Sequence, residues 1–135
     1  MVPQAQYGFQ GTGGVTFGQA IRSCYSNYAT FSGRASRSEY WFFALYQCLG
    51  ILVCLVLWPF GIGQAAFSLF AIGNFLPTLS VLVRRLHDTD RSGWWYWIGL
   101  VPLAGPILLL VWFCSRGTVG ANRFGPDLLT VLIPR

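Results

Sequence analysis

Three long apolar windows without a charged residue constrain this chain more than any other feature. They cover residues 40–58, 61–83 and 94–114, and are 19, 23 and 21 residues long. A helix rises about 1.5 Å per residue, so roughly 20 residues cross the ~30 Å hydrocarbon core of a bilayer. Charged residues make up only 10% of the chain, whereas soluble domains carry about a quarter. The sequence therefore predicts an all-α membrane protein.

The first two windows are joined by residues 59–61, Pro-Phe-Gly. Such a short uncharged turn predicts a hairpin of two transmembrane helices that pack side by side. Pro77 in the second window leaves the carbonyl of Gly73 without its helical partner, which predicts a kink. Asn74 and Thr78 lie one turn apart and are expected to form hydrogen bonds between helices.

Residues 15–31 repeat apolar side chains at helical spacing, with polar residues opposite. This pattern predicts an N-terminal amphipathic helix in the membrane interface, its apolar face directed to lipid or to the protein's own helices. Residues 1–14 are rich in Gln and Gly and are expected to be disordered. We thus divide the chain into a disordered N-terminus (1–14), one integral membrane domain (15–127) and a C-terminal tail (128–135).

The third window contains Pro102 and Pro106 on either side of Leu-Ala-Gly, so we expect it to be broken near its middle. It either crosses the bilayer once as a kinked helix or turns back as a re-entrant segment. The paired prolines favour the re-entrant form, which returns the tail to the side of the first two helix ends. Arginines precede the first window and the hairpin turn has none, so this side is predicted to be cytoplasmic.

The charged residues lie in the short polar pieces between the windows. Ser36 and Glu39 have the spacing of a capping box at the start of the first spanning helix. Because the hairpin returns the chain to the side it left, we expect one cluster at the cytoplasmic face. Its members are Arg34, Arg37, Glu39, Arg84, Arg85, His87, Asp88, Asp90, Arg91, Asn122, Arg123 and Asp127.

This cluster has three interpretations. Its charges can pair with each other and join the helix ends, or its surplus arginines can hold a lipid phosphate. A catalytic or metal site using His87, Asp88 and Asp90 is the weakest, because one histidine with two acids on a short loop is poor metal-ligand spacing. The four cysteines form no CxxC pair. We therefore expect no metal and no cofactor. Nucleic-acid binding is also excluded, because no long basic soluble surface remains to carry the net charge of +5.

Three sequence blocks resemble the signature motifs of the DUF805 family of small bacterial inner-membrane proteins. They are FSGRASRSEYWFF at 31–43, LPTLSVLVRRLHDTDRSGWW at 76–95 and GTVGANRFGPD at 117–127. The resemblance runs from about residue 15 to 127. The family often continues with proline after the last block, where this chain has Leu128. The resemblance implies a multi-pass protein of the bacterial inner membrane, and it supplies no reaction, ligand or partner.

Two functions from different classes fit these observations. The favoured one is a non-enzymatic accessory subunit whose arginine-rich face contacts anionic lipid, other membrane subunits or further copies of itself. The alternative is an interfacial or lipid-modifying enzyme that uses His87, Asp88 and Asp90. A channel formed by oligomers is a third, weaker hypothesis, with Gln64, Asn74 and Thr78 lining it.

Overall fold

The computed structural model describes residues 15–127, so the expectations for 1–14 and 128–135 lie outside the described residues. The described part is helical, and its only β-type pairing is an isolated bridge between Asn122 and Gly125. The predicted all-α class is confirmed. The elements in chain order are α1 (Phe17–Ser26), α2 (Arg37–Leu57), a 3-10 helix (Trp58–Phe60), α3 (Gly63–Asp88), a longer 3-10 helix (Gly93–Leu100) and α4 (Ala104–Cys114).

The hairpin of α2 and α3 is the frame of the molecule. Two stretches, Arg37–Phe60 and Gly63–Asp88, are long and apolar enough to cross a membrane, with 24 and 26 residues. Only 11% and 22% of their most apolar windows are buried inside the protein. A core helix of a soluble protein would be mostly buried, so this outward apolar surface fits contact with lipid. Gly61 closes the connecting turn in the left-handed conformation, with φ of 78°.

Hydrogen bonds join neighbouring helices to the apolar stretch of α3, as predicted for Asn74 and Thr78. The side-chain oxygen of Asn74 accepts from the hydroxyl of Tyr25 at 2.5 Å. The hydroxyl of Thr78 accepts from the side-chain amide of Gln47 on α2. Asn74 and Thr78 thereby have hydrogen-bond partners on α1 and α2, which lowers the cost of placing these two side chains in an apolar region.

Helix α1 is shorter than the predicted 15–31. Thr16 begins it with a capping box, and at its other end the side-chain amide of Asn27 donates to the carbonyl of Ser23 at 2.8 Å. The hydroxyl of Ser80 on α3 donates to the carbonyls of Asn27 and Thr30 at 2.8 and 2.6 Å. Because these contacts draw the chain onto α3, the helix ends at Ser26, and the prediction was wrong for the residues beyond it.

The buried face of α1 packs against α2 and α3. Cys24 is fully buried in one core with Phe43 and Val81. The hydroxyl of Tyr28, just after α1, donates to the carbonyl of Gly73 at 2.9 Å, the group that Pro77 leaves without a helical partner. The contacts thus favour the alternative in which α1 covers the protein's own helices, while its position in the membrane interface stays a prediction.

Residues 93–114 form a folded-back pair of short arms. Val101 is extended, as expected before Pro102, and Leu103 has a φ of 65°. The arms touch through the rings of Trp95 and Trp112, whose centroids are 5.8 Å apart. Gly105 packs so closely on the first arm that an added Cβ would collide with its backbone. The predicted reversal is therefore present in the fold.

The second arm, α4, returns the chain to the last turn of α3. Leu86 of α3 forms a second buried core with Leu109 and Phe113 of α4. Tyr40 near the start of α2 packs against both this core and the one beneath α1. The two cores therefore lie at the same end of the hairpin. That end also carries the charged residues.

Candidate functional site

Asp88, the last residue of α3, lies at the centre of the charged cluster. Its Oδ1 accepts from Nε of Arg34 at 2.8 Å, and its Oδ2 pairs with Nη1 of Arg85. The two guanidinium side chains are 1% and 0% exposed. One buried carboxylate is thus held by two arginines from different parts of the chain, one before α2 and one in the last turn of α3. Breaking such a pair leaves an uncompensated buried charge, which is strongly destabilising.

Arg34 also holds the segment after α4. Its Nη1 donates to the carbonyl of Gly120 at 2.9 Å, and its Nη2 donates to the carbonyl of Thr118 at 2.7 Å. The amide of Thr118 in turn donates to the backbone carbonyl of Asp88 at 2.7 Å. The planar fork of arginine suits several acceptors at once. The segment at 117–127 is thereby ordered against the end of α3.

Arg85 joins α3 to the C-terminal end of α4. It donates to the carbonyl of Phe113 at 3.2 Å through Nη2, and the same nitrogen contacts the carbonyl of Ser115. The last carbonyls of a helix lack partners within it, so an arginine placed there satisfies them. Arg85 therefore fixes the C-terminal end of α4 to the last turn of α3.

Arg84 points to the other side of α3 and pairs with Glu39 of α2. Its Nη1 lies 2.9 Å from Oε1 of Glu39, and the two side chains are 3% and 5% exposed. The same oxygen accepts from the hydroxyl of Ser23 on α1 at 2.9 Å. Within residues 15–127, the buried Nε and Nη2 of Arg84 have no hydrogen-bond partner. Glu39 is thus the main compensation for the Arg84 charge.

The capping box predicted for Ser36 and Glu39 is only half correct. The hydroxyl of Ser36 accepts from the amide of Glu39 at 3.2 Å, as expected. The carboxylate of Glu39 does not return to the cap, because Arg84 and Ser23 hold it. Burial, followed by the charge of Glu39, raises the pKa of the neighbouring Cys24 thiol to about 12.

The three residues of the enzyme hypothesis have separate partners. Nδ1 of His87 lies 3.0 Å from the carbonyl of Gly33, and its ring stacks on Phe124 with centroids 3.9 Å apart. Asp88 is held by its two arginines, and Asp90 pairs with Arg123 at 3.3 Å on the surface. The carboxylates are engaged by arginines instead of being directed with His87 into a shared pocket. No group of three or more potential metal ligands occurs among the described residues.

The remaining predicted members lie in the same region. The side-chain amide of Asn122 donates to the carbonyl of His87 at 2.9 Å. Oδ2 of Asp127 accepts from the amide of Gly120 at 2.9 Å. The guanidinium of Arg91 lies over the ring of Trp112, 4.4 Å from its centroid. Arg37 is exposed, and its Nη1 lies 3.4 Å from the carbonyl of Cys114.

Several partners in this network were not anticipated from the sequence. They include Ser23 on α1, the ring of Phe124, and the backbone carbonyls of Gly33 and Thr118. Ser23 carries a signal that could have been used, because it lies on the polar side of an amphipathic helix. The backbone carbonyls carry none, since any residue presents the same group.

The comparisons with known proteins bear on this arrangement as a whole. Residues 28–126 match the model of a family described as "Protein of unknown function (DUF805)". The chain belongs to the DUF805 family. This region contains every ion pair found within residues 15–127. The resemblance inferred from the three sequence blocks is therefore confirmed.

Relatives from Escherichia coli strain K12 extend this result. The inner membrane protein YhaI is 45% identical over 107 residues, which cover 78% of this chain and 91% of that protein. The inner membrane protein YhaH is 44% identical over 107 residues, covering 75% and 88%. The uncharacterized protein YiiR is 35% identical over 112 residues, covering 77% and 72%. No solved structure matches. The chain is an inner-membrane protein of a bacterial family without an established activity.

Proposed function

We propose that this DUF805 protein is a non-enzymatic accessory protein whose arginine-rich end contacts a partner membrane protein or anionic lipid. The observation that carries the proposal is that the acidic side chains are all engaged within the protein, while some arginines have no acidic partner within residues 15–127. Glu39, Asp88 and Asp90 are engaged by arginines, and Asp127 receives a backbone amide. Seven arginines lie in the same polar pieces as these four acids, which leaves a surplus of three positive charges.

Three of these arginines form no ion pair within residues 15–127; Arg91 packs on Trp112, and the other two lie on the outside of the network. Arg37 and Arg116 are exposed, and neither forms an ion pair with a carboxylate within residues 15–127. Positive charges at the end of a transmembrane hairpin attract anionic lipid headgroups and acidic partner surfaces. The separate engagement of His87, Asp88 and Asp90 supports binding over catalysis.

The proposal is tested by photo-crosslinking in whole cells. A photoreactive amino acid replaces Val119, which is 69% exposed in the segment after α4. The matched position is Leu69, which is 73% exposed near the hairpin turn of α3. We expect a discrete protein adduct or an anionic-lipid adduct at Val119, reduced by the double substitution R37Q/R116Q. Equal adducts at both positions, or no effect of the arginine substitutions, would contradict the proposal.

A further inference from the structure

A small cavity opens between the first turn of α2 and the segment after α4. Its volume is about 200 Å³, below the range of about 300–1,000 Å³ that suits drug-sized ligands. This size favours a compact polar group over an extended substrate. The cavity is lined by Arg34, Ser36, Arg37, Ser38, Asp88, Arg116, Gly117 and Asp127.

The charges in this lining fall into two classes. Arg34 and Asp88 are buried and bind each other, and Asp88 is also compensated by Arg85. With Arg85 they form a buried triad in which two guanidinium groups share one carboxylate, so its net charge is +1 and its polar groups are engaged with each other. Arg37 and Arg116 are exposed, and no carboxylate pairs with them in the described part of the chain. The charge available to a ligand at the rim is therefore that of two guanidinium groups, partly offset by Asp127.

Neutral donors complete the lining. The hydroxyls of Ser36 and Ser38 are 3.2 Å apart at the N-cap and first turn of α2. The first backbone amides of a helix have no partner within the helix and favour an anion. Tyr40 and Trp41 begin the apolar window directly after this turn. Aromatic residues at such a position mark the level of lipid headgroups.

We propose that this cavity binds the phosphate group of a lipid headgroup with a net negative charge, or a free phosphate ion, with Arg37 and Arg116 as its charged ligands. Guanidinium groups bind phosphate oxygens in pairs of parallel hydrogen bonds, which gives both affinity and orientation. The cavity lies at the start of the transmembrane helix α2, where lipid headgroups are expected. An anionic phospholipid is therefore the favoured source of the phosphate. This inference rests on the proposed function and specifies the site of its lipid contact.

The test uses the purified full chain in a neutral mild detergent. Bound lipid is counted by native mass spectrometry after addition of short-chain phosphatidylglycerol, with phosphatidylcholine and inorganic phosphate as separate arms. We expect phosphatidylglycerol to bind to the wild type and its affinity to fall at least roughly tenfold in R37Q/R116Q, since charge-assisted contacts are lost. The matched control R22Q removes an exposed arginine of α1 and should change nothing.

A second variant separates charge from geometry. R37K/R116K keeps both positive charges without the planar fork, so its affinity for phosphatidylglycerol should lie between those of the wild type and R37Q/R116Q. Continued protection of the buried Cys24 thiol from alkylation verifies that each variant is folded. If R37Q/R116Q did not fold, the lysine variant would decide the matter, and wild-type affinity in it would contradict the bidentate contact.

The outcomes distinguish the sources. Binding of inorganic phosphate in competition with phosphatidylglycerol, lost in R37Q/R116Q, supports the same ligands for a free phosphate. Undiminished phosphatidylglycerol binding by R37Q/R116Q overturns the site. So does binding of phosphatidylcholine to the wild type as tightly as phosphatidylglycerol. The proposed function fails separately. Equal adducts at Val119 and Leu69 in cells would overturn it, whereas phosphatidylglycerol binding by the purified chain that is lost in R37Q/R116Q would still support the phosphate site.

Discussion

The substitution Glu39→Gln should destabilise the fold far more than its surface counterpart. It removes the carboxylate charge while retaining a side-chain oxygen that can still accept from Ser23. The charged groups of Glu39 and Arg84 meet at 2.9 Å and are 5% and 3% exposed. With charge centres ~4 Å apart, Coulomb attraction amounts to about 4 kcal/mol at an effective dielectric constant of ~20. Breaking a buried pair in other proteins costs about 3–5 kcal/mol.

We therefore expect E39Q to lower the free energy of unfolding by about 3 kcal/mol, since the amide retains part of the hydrogen bonding. The cost is large because the other nitrogens of Arg84 have no partner within residues 15–127. The matched control is D90N. It makes the same carboxylate-to-amide change in the exposed pair of Asp90 with Arg123. The side chain of Arg123 is 62% exposed and that of Asp90 is 48% exposed. Such a pair is worth at most ~1 kcal/mol, and asparagine tolerates the positive φ of this position.

The assay is equilibrium unfolding in mixed micelles of a mild detergent and sodium dodecyl sulfate, followed by tryptophan fluorescence. A double variant, E39L/R84M, removes both charges and should recover most of the loss, because apolar replacement of a buried pair is often neutral. Equal effects of E39Q and D90N would refute the reasoning. A double variant less stable than E39Q would also contradict it, since the unpaired guanidinium could then not be the source of the cost.

The remaining predictions concern the tail, the thiols and metal. Gly117→Ala should loosen the segment after α4, because a Cβ there collides with the carboxylate of Asp88; faster proteolysis of this segment checks it, and wild-type resistance would contradict it. In single-cysteine variants at about pH 8.5, where an ordinary thiol is half ionised, maleimide should label the exposed Cys114 and spare Cys24. The raised pKa of Cys24 keeps its thiol protonated until about pH 12, so early labelling would count against its burial. A reporter fused after Arg135 should be active only in its cytoplasmic form, and a periplasmic signal would refute the topology. Protein purified without chelators should contain no stoichiometric metal, and one equivalent per chain would overturn this.

The sequence predicts the transmembrane hairpin well, because its cause is local and large. An uncharged window of about 20 residues has few alternatives to a spanning helix. Because the windows contain no charge, the arginines lie in the polar pieces beside the helix ends. The turn at residues 59–61 is short, so the start of α2 lies beside the end of α3, and the charged residues meet there. The fold-back at 93–114 is also visible in part, because Val101 must be extended before Pro102.

The individual pairings could not be predicted, because they join residues far apart in the chain. Arg34 and Asp88 are separated by 54 positions, and Arg84 and Glu39 by 45. Nearness in sequence would suggest that Asp88 pairs with both arginines of α3. In the structure only Arg85 does so, while Arg84 reaches Glu39. The reciprocal half of the capping box is absent for the same reason, because the sequence shows a local partner for Glu39 and does not show the distant Arg84.

The adjacency of Arg84 and Arg85 has a geometric explanation. Successive side chains are rotated by about 100° around a helix, so two neighbours on α3 address different sides of the hairpin. Arg84 meets Glu39 and, through it, Ser23 of α1. Arg85 meets Asp88 and the carbonyls at the end of α4. One dipeptide thus fastens both flanking elements to the same turn.

This arrangement bears on where a ligand can act. The buried arginines already have acceptors, and withdrawing any of them would expose an unpaired charge at a cost of several kcal/mol. A headgroup would have to supply that energy before it gained anything from binding. Arg37 and Arg116 are exposed, so they can turn towards a phosphate without breaking an ion pair of the described fold. The arginines of this end therefore have two roles. The buried ones hold the fold together through ion pairs, and the exposed Arg37 and Arg116 are available to bind a ligand.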